Sequence, residues 1–413
     1  SITNKFLNSA TEMLKKQHSD AKGSPFGNRK RIIHALNGVV DITVPPHSFS
    51  PEFDKSYYSR NQSPFLYVPG KDCPRFKNEL LGSQLAPDDI DVIQRWLGMA
   101  IMGPNRAQVI MMITGEAGSG KSTLSSILIK MIGEQNFTEL RTQHLGDSRF
   151  ETSHYLGKSL LFGSDVDSSF FQRGGASRLK ALTGGDVQTV EMKRKGTAQI
   201  RGEFNVLLNA NSRITVALQG DKGAWKRRLI LIPFEKPADP AKRIPDFDKV
   251  LIHEEGDGIL NWAIEGAEKF VADGGRIRLN ERQSERVEAL LNESDGVRKF
   301  IANNVVKSSF PTDAISSDEM YAAYLRICSD YGWAPKNDQT FFREAQLLMV
   351  EIHGIEATKN AKDAARQFAN DSGSILGGIQ NASQGLFQIL PYGDVIGMAE
   401  ETTRKKIVQI GRA

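Results

Sequence analysis

Apolar residues recur along this chain in two periods, and the switches between them divide it into segments. Phe6, Leu7, Ala10 and Leu14 predict a short amphipathic helix, and residues 22–31 form a basic loop that contains Gly23, Pro25 and Gly27. Residues 31–68 read as short strands interrupted by Pro45, Pro46, Pro51 and Pro64. From residue 74 the period becomes helical. Phe76, Leu80 and Leu81 predict one short helix, and Pro87-Asp88-Asp89 opens a second that carries Ile90, Ile93, Trp96, Leu97 and Ala100. Proline at the first helical position and acids in the first turn both suit the exposed N–H groups of a helix start.

Between residues 108 and 234, β-rich apolar runs at 109–113, 160–162, 204–208 and 229–232 alternate with helical patterns, as in a mononucleotide-binding α/β domain. Residues 257–292 are helical again through Ile259, Leu260, Ala263, Ile264, Ala267 and Phe270, with Gly274-Gly275 as a break. A compact unit follows at 295–355, with helices near 296–304, 317–330 and 338–349. Beyond it Gly377, Gly378, Gly385 and Gly393 interrupt any helix, and no coherent core is visible. The expected organisation is a lead-in (1–73), a helical segment (74–107), a central α/β domain (108–240), a helical connector (241–294), a C-terminal domain (295–358) and a tail (359–413).

Composition narrows the class. At 413 residues the chain has room for two to three domains, and 39% hydrophobic with 25% charged residues excludes disordered, collagenous and membrane classes. The net charge of +4 is too small to name a partner, but residues 191–228 hold nine basic and three acidic side chains, a local excess larger than that of the whole chain. Two cysteines, Cys73 and Cys328, in no ligand spacing exclude a disulfide framework or zinc ribbon and point to a reducing cytoplasm. The seven histidines are scattered, and no structural metal is expected. No apolar run reaches the ~18–20 residues that span a bilayer, and no signal-peptide pattern opens the chain, so no membrane partner is expected. A start at Ser1 suggests a trimmed product or a piece of a longer polypeptide.

The chemistry concentrates in the central domain. Gly-Glu-Ala-Gly-Ser-Gly-Lys-Ser at 115–122 follows an apolar strand and precedes a helical run, the context that a phosphate-binding loop requires. Its glycines let backbone N–H groups surround phosphate oxygens, and the helix start adds positive potential. The nucleotide-binding set is therefore Gly115, Glu116, Ala117, Gly118, Ser119, Gly120, Lys121, Ser122 and Thr123. Lys121 bridges terminal phosphates and the Ser122 hydroxyl ligates Mg²⁺. An acid at a neighbouring strand end must hold that ion. Asp165, directly after the run 160–162, is the metal partner. Asp167, two residues on and so on the same side of an extended chain, is the second acid. The run 204–208 ends in Asn209 and Asn211, polar groups suited to the γ-phosphate, with Asn211 the first choice and Asn209 the reserve. Arg227 and Arg228, at the mouth of the run 229–232, offer the cation that neutralises transition-state charge.

In that order, with Leu-Lys-Ala-Leu-Thr-Gly-Gly-Asp at 179–186 and Trp-Lys-Arg-Arg-Leu-x-x-Ile-Pro-Phe at 225–234, these motifs resemble the superfamily 3 helicases of the phage and plasmid primase/helicase type. The lead-in Leu-Asn-Gly-Val-Val-Asp at 36–41 and Asp-Cys-Pro-Arg-Phe at 72–76 are similar to the segment that precedes the family's motor. Residues 295–355, with Asp-Glu-Met-Tyr-Ala-Ala-Tyr at 318–324, look like its winged-helix module. The resemblance spans roughly residues 30–355. It implies an α/β fold with an AAA+-like phosphate-loop ATPase domain and a C-terminal winged helix, with ATP and Mg²⁺ as cofactors. It also implies a hexameric ring with ATP between subunits and Arg228, with Arg227, supplied from the neighbour.

The resemblance further implies a hairpin between Gly184 and Phe204 that carries Lys193, Arg194 and Lys195 to single-stranded DNA. The implied activity is an ATP-dependent DNA helicase acting on single-stranded and forked DNA, with a primase or polymerase encoded upstream or separately as a partner. The chain departs from the family where Val166 separates Asp165 from Asp167, which leaves the water-activating acid open. Two alternatives also stay open: a DNA-binding replication initiator, and an ATPase that translocates on DNA without unwinding it.

Overall fold

The computed structural model describes residues 31–44, 46–54, 61–145, 151–166, 175–192, 196–211, 222–234, 236, 243–307, 317–331, 333, 335–354 and 387–389. Along the chain, β1 (Ile32–Ala35), β2 (Gly38–Asp41) and β3 (Ser48–Ser50) form an antiparallel meander. A short π-type helix, α1 (Phe76–Leu81), and α2 (Pro87–Ile101) come next. The central region runs β4 (Ile110–Gly115), α3 (Lys121–Ile132), β5 (Phe137–Glu139), α4 (Thr142–Leu145), β6 (Leu160–Gly163), α5 (Gly175–Thr183), β7 (Val187–Met192), β8 (Gly196–Arg201), β9 (Asn205–Ala210), α6 (Lys222–Lys226) and β10 (Leu229–Phe234). After it come α7 (Phe247–Ala272), α8 (Glu281–Glu293), α9 (Gly296–Asn304), β11 (Val305–Lys307), α10 (Ser317–Tyr331), α11 (Asp338–His353) and β12 (Phe387–Ile389).

The chain is mixed α/β around a five-stranded sheet of order β10-β4-β9-β6-β5, in which β4, β9, β6 and β5 run parallel. A parallel sheet covered on both faces needs continuous apolar strands rather than alternating ones. Ile110, Met111, Met112 and Ile113 of β4 are accordingly all buried, as is every residue of β9. Among the described residues no helix is long and apolar enough to cross a membrane.

The chain forms two compact units. The first comprises Ser1–Val166, Lys180–Asn211 and Ile230–Asn280. One core in it joins the lead-in (Ile33, Val40), α2 (Trp96, Leu97), α3 (Leu124, Leu128), the sheet (Met111, Leu207, Ile232) and α7 (Leu260, Ile264). The segments 74–107 and 241–280 therefore share one core with the sheet and do not stand apart from it. α7 also starts at Phe247, ten residues before the apolar period at 257 announces a helix. Its buried Glu255 explains the difference, because that carboxylate accepts the N–H groups of Arg75 (2.9 Å) and Phe76 (2.8 Å) at the start of α1. A polar residue in a core position masks the pattern, and here it ties the lead-in to α7. Burial likewise pushes the neighbouring Cys73 thiol up to about 12, so it stays protonated.

α2 and α7 approach backbone to backbone. A Cβ placed on Gly98 would fall 2.2 Å from Ala267 N, and one on Gly266 would fall 2.0 Å from Gln94 O. Around this contact Gln94 Nε2 donates to Trp262 O at 2.8 Å, and Lys269 Nζ donates to Gln94 Oε1 at 2.6 Å.

The second unit comprises Asp167–Leu179, Ser212–Leu229 and Glu281–Ala413. Phe300, Tyr324 and Phe341 centre its core, with Tyr324 stacked on Phe341 at 4.5 Å between ring centroids. Asp295 caps α9 by accepting from Val297 N and Arg298 N, and Asn337 caps α11 by accepting from Thr340 N. β11 pairs antiparallel with β12, so part of the tail, where the sequence shows no coherent core, is a strand.

The glycine contact sets a stability prediction that opposes helix propensity. Alanine is favoured over glycine in a helix interior by about 1 kcal/mol. At residue 98 the added methyl meets backbone, and overpacking of that kind costs about 1–3 kcal/mol. Gly98→Ala should therefore lower the urea midpoint with an unchanged slope. A raised midpoint would place the two helices farther apart than described.

Candidate functional site

β4 delivers the glycine-rich turn to the carboxyl end of the sheet, the edge where open parallel sheets bind ligands. Gly118 and Gly120 hold φ of 81° and 100°, in the left-handed region that favours glycine. Through them the chain turns directly into α3, whose first N–H groups have no intrahelical acceptor and open toward the turn. Glu116, Ala117 and Gly118 are exposed, whereas Ser119 is buried and its Oγ has no hydrogen-bond partner.

Lys121 is the first residue of α3 and is only 5% exposed. Its Nζ donates to Gly115 O at 2.8 Å and to Glu116 O at 2.6 Å, so the ammonium spans the mouth of the turn. Burial lowers its pKa, and the charge of Asp165 pulls the other way. Ser122 is exposed at the helix start, and Thr123 is half-buried.

The acid and the amide come from neighbouring strands. β9 lies between β4 and β6, with Thr114 opposite Ala210 and Gly163 opposite Leu208. Asp165, two residues past β6, and Asn211, one past β9, are both exposed, and Asn211 Nδ2 donates to Asp165 Oδ1 at 3.2 Å. Asn209 does different work. It is 3% exposed, and its Oδ1 accepts from Ser125 Oγ at 2.9 Å, which ties β9 to α3. A cavity of about 860 Å³ opens beside these groups, lined by Ser122, Ser125, Ser164, Asn209 and residues of α7 that include Asp248. Ser126 of α3 donates to Asp248 across its wall at 2.6 Å.

Lys121, Asp165 and Asn211 thus converge, with Ser122 at the same edge. Arg227 and Arg228 belong to the second unit, where they follow α6. Arg227 is exposed, whereas Arg228 is 8% exposed and its Nη1 donates to Ala224 O at 3.1 Å. β7 and β8 pair antiparallel from Val187 opposite Arg201 to Met192 opposite Gly196. Lys193, Arg194 and Lys195, which join those strands in sequence, lie outside the described residues, as does Asp167.

Two residues near the turn escaped the sequence reading. Ser125 sits one helical turn after Lys121, but its value as a partner of Asn209 depends on the β4–β9 pairing. Arg243 lies in a loop next to Pro245 and reaches Gly118, where a Cβ would fall 2.6 Å from its Nη2. No local pattern singles it out.

The donor set suits a nucleoside triphosphate with Mg²⁺. A glycine turn, a helix start, a buried lysine and an orphaned serine hydroxyl form an anion cradle. Mg²⁺ is usually held by one or two protein oxygens together with phosphate and water. One carboxylate at Asp165 and one hydroxyl at Ser122 answer that description, and among the described residues no cluster of three or more metal-binding side chains occurs.

Residues 113–228 match a family of unknown function, DUF5906. The chain is similar to the A form apo structure of the C-terminal region of NrS-1, at 15% identity and a TM-score of 0.43, covering 70% of this chain and 69% of that one. Another apo structure of the same region matches at 14% identity and a TM-score of 0.43, covering 74% of this chain and 72% of that one.

The two asparagines should separate by experiment. Asn209→Ala leaves the buried Ser125 hydroxyl without its acceptor and should cost about 1–3 kcal/mol of stability. Asn211→Ala, at an exposed position, should change stability by less than about 0.5 kcal/mol. Chemical denaturation of both variants checks this, and equal losses would contradict the assignment.

Proposed function

We propose that this chain is an ATP-dependent DNA helicase motor of a phage or mobile element, of the superfamily 3 type, that hydrolyses ATP with Mg²⁺ to move along single-stranded DNA and unwind duplex. One observation carries the reading: Lys121, Asp165 and Asn211 meet at the carboxyl ends of three adjacent parallel strands, beside a glycine turn that opens onto a helix start. In that arrangement the backbone of 115–122 holds the phosphates, Lys121 binds the terminal ones, and Ser122 and Asp165 hold the metal ion. Mg²⁺, when bound, neutralises phosphate charge and orients the triphosphate. Asn211 keeps Asp165 in place and contacts the γ-phosphate, and Asp165 or Asp167 orients the attacking water.

On the same reading the subunits form a ring, hexameric by the resemblance, with ATP between neighbours. Arg227, the exposed member of the pair, then serves the adjoining subunit, and Arg228 packs behind it on the Ala224 carbonyl. The β7–β8 hairpin carries Lys193, Arg194 and Lys195 against the phosphates of a single strand. Residues 295–358 act as a winged helix, and a primase or polymerase encoded upstream or separately is the partner.

Lys121→Ala and Asp165→Asn should each lower DNA-stimulated ATP turnover by about 100-fold or more, with an unchanged circular dichroism spectrum. Undiminished turnover in either variant would sink the motor reading. A forked duplex assay with ATP tests unwinding itself, since hydrolysis without strand separation would leave a translocase.

The hairpin assignment has a separate test. Lys193→Ala combined with Lys195→Ala should weaken single-strand binding and reduce the salt slope by about 0.7 per lost phosphate contact. An unchanged slope would locate the DNA elsewhere.

A further inference from the structure

A second cation reaches the glycine turn from outside the motif. Arg243 stands just ahead of α7, in the same compact unit as the turn. A Cβ built on Gly118 would lie 2.6 Å from Arg243 Nη2 and 3.9 Å from its Cζ, and beyond the adjacent turn residues no other atom of the described residues comes within 4 Å of that position. Among the described residues the guanidinium is therefore the group that stands against Gly118. Among the described residues it has no hydrogen-bond or ion-pair partner. The carboxylate of Glu116, in the turn itself, is exposed and forms no ion pair with it.

The backbone fixes this approach. Pro245 restricts its own φ, and Asp246 holds φ at 49° at the start of α7, one of two non-glycine residues with positive φ among those described. Lys249 Nζ donates to Asp246 Oδ1 at 2.9 Å and supports the turn. Strained backbone of this kind persists where the surroundings over-determine it, and it clusters at functional sites.

Electrostatics then selects the ligand. The start of α3, the Lys121 ammonium and the Arg243 guanidinium place positive charge around one small turn, and Asp165 is the acid coupled to Lys121. A planar, always-charged fork suits phosphate oxygens better than any neutral group. We propose that Arg243 is a nucleotide-binding residue acting within its own subunit, its guanidinium hydrogen-bonded to oxygens of the β- and γ-phosphates held by residues 115–122. This rests on the phosphate-binding reading of that turn.

The test is calorimetric titration of the full chain with Mg²⁺ and ATP, ADP or AMP, for the unaltered protein, Lys121→Ala, Arg243→Ala and Arg243→Lys. Arg243 is exposed and has no hydrogen-bond or ion-pair partner among the described residues, so its replacement should leave the melting temperature unchanged. Arg243→Ala should weaken ATP and ADP by about 10- to 100-fold, the range for a hydrogen bond to a charged group, and leave AMP unaffected. Arg243→Lys should recover part of the loss, because it keeps the charge and loses the fork. If the unaltered protein binds ATP, Lys121→Ala does not, and Arg243→Ala binds as well as the unaltered protein, the Arg243 assignment is overturned alone. Equal weakening of ATP and AMP also overturns it, because the contact would then not be to the outer phosphates. If the unaltered protein fails to bind ATP, or Lys121→Ala binds it equally well, the phosphate-binding reading fails and takes the Arg243 assignment with it.

Discussion

β9 hydrogen-bonds on both edges, to β4 from Ile110 opposite Val206 through Thr114 opposite Ala210, and to β6 from Leu160 opposite Asn205 through Gly163 opposite Leu208. The geometry of the site depends on that double pairing. β4 and β6 are not neighbours, so only the strand between them fixes how far the glycine turn stands from Asp165. The pairing continues past the strand end, where Val166 N donates to Asn209 O at 2.9 Å and holds the segment that bears Asp165. Side chains alternate along a strand, so Asn209 and Asn211 face the same side. That is the side of α3, because Asn209 meets Ser125. A one-residue slip of β9 would turn both asparagines away from α3, so the site depends on this register.

The same edge explains why Lys121 tolerates burial. A buried ammonium is costly unless its protons are accepted, and the carbonyls of Gly115 and Glu116 accept two of them. Those carbonyls point at the ammonium because the turn runs through positive φ at Gly118 and Gly120. The glycines thus orient carbonyl oxygens toward a lysine as well as N–H groups toward an anion. Desolvation still lowers the lysine pKa, and Asp165 limits the shift. The acid therefore acts as a counter-charge to Lys121.

Much of this was legible in the sequence for a simple reason. A parallel sheet buried on both faces writes its strands as unbroken apolar runs, and β4, β6, β9 and β10 are such runs. The motif residues sit at the ends of those runs, so Lys121, Asp165 and Asn211 could be picked before the sheet order was known. What could not be read are groups whose role depends on a distant backbone. Glu255 looks like a surface acid within an acidic stretch, yet it caps α1 from nearly two hundred residues away and hides the true start of α7. Arg228 reads as an exposed arginine beside a strand, but it folds back onto the Ala224 carbonyl and leaves Arg227 outside. The sequence ranks Asn211 ahead of Asn209 but gives neither a structural role. Only the placement of α3 distinguishes a buried tie from an exposed contact.

The local charge excess must also be divided before it can be assigned to a partner. Residues 191–228 carry nine basic side chains, but they are not equally available. In the first unit Arg201 lies 3.8 Å from Glu203. In the second, Lys226 pairs with Glu288 at 2.8 Å and Lys222 approaches the same carboxylate at 3.7 Å, while Lys222 Nζ also donates to Asn292. The Lys226 hydrogen bond, backed by the charges of both lysines, holds Glu288 below the usual carboxylate range. One acid of α8 thus offsets the two lysines of α6, and Arg228 is internal. What remains for a polyanion among the described residues is Arg227, together with Lys193, Arg194, Lys195 and Arg213 outside them. The excess that seemed spread over a window therefore reduces largely to the junction between two paired strands.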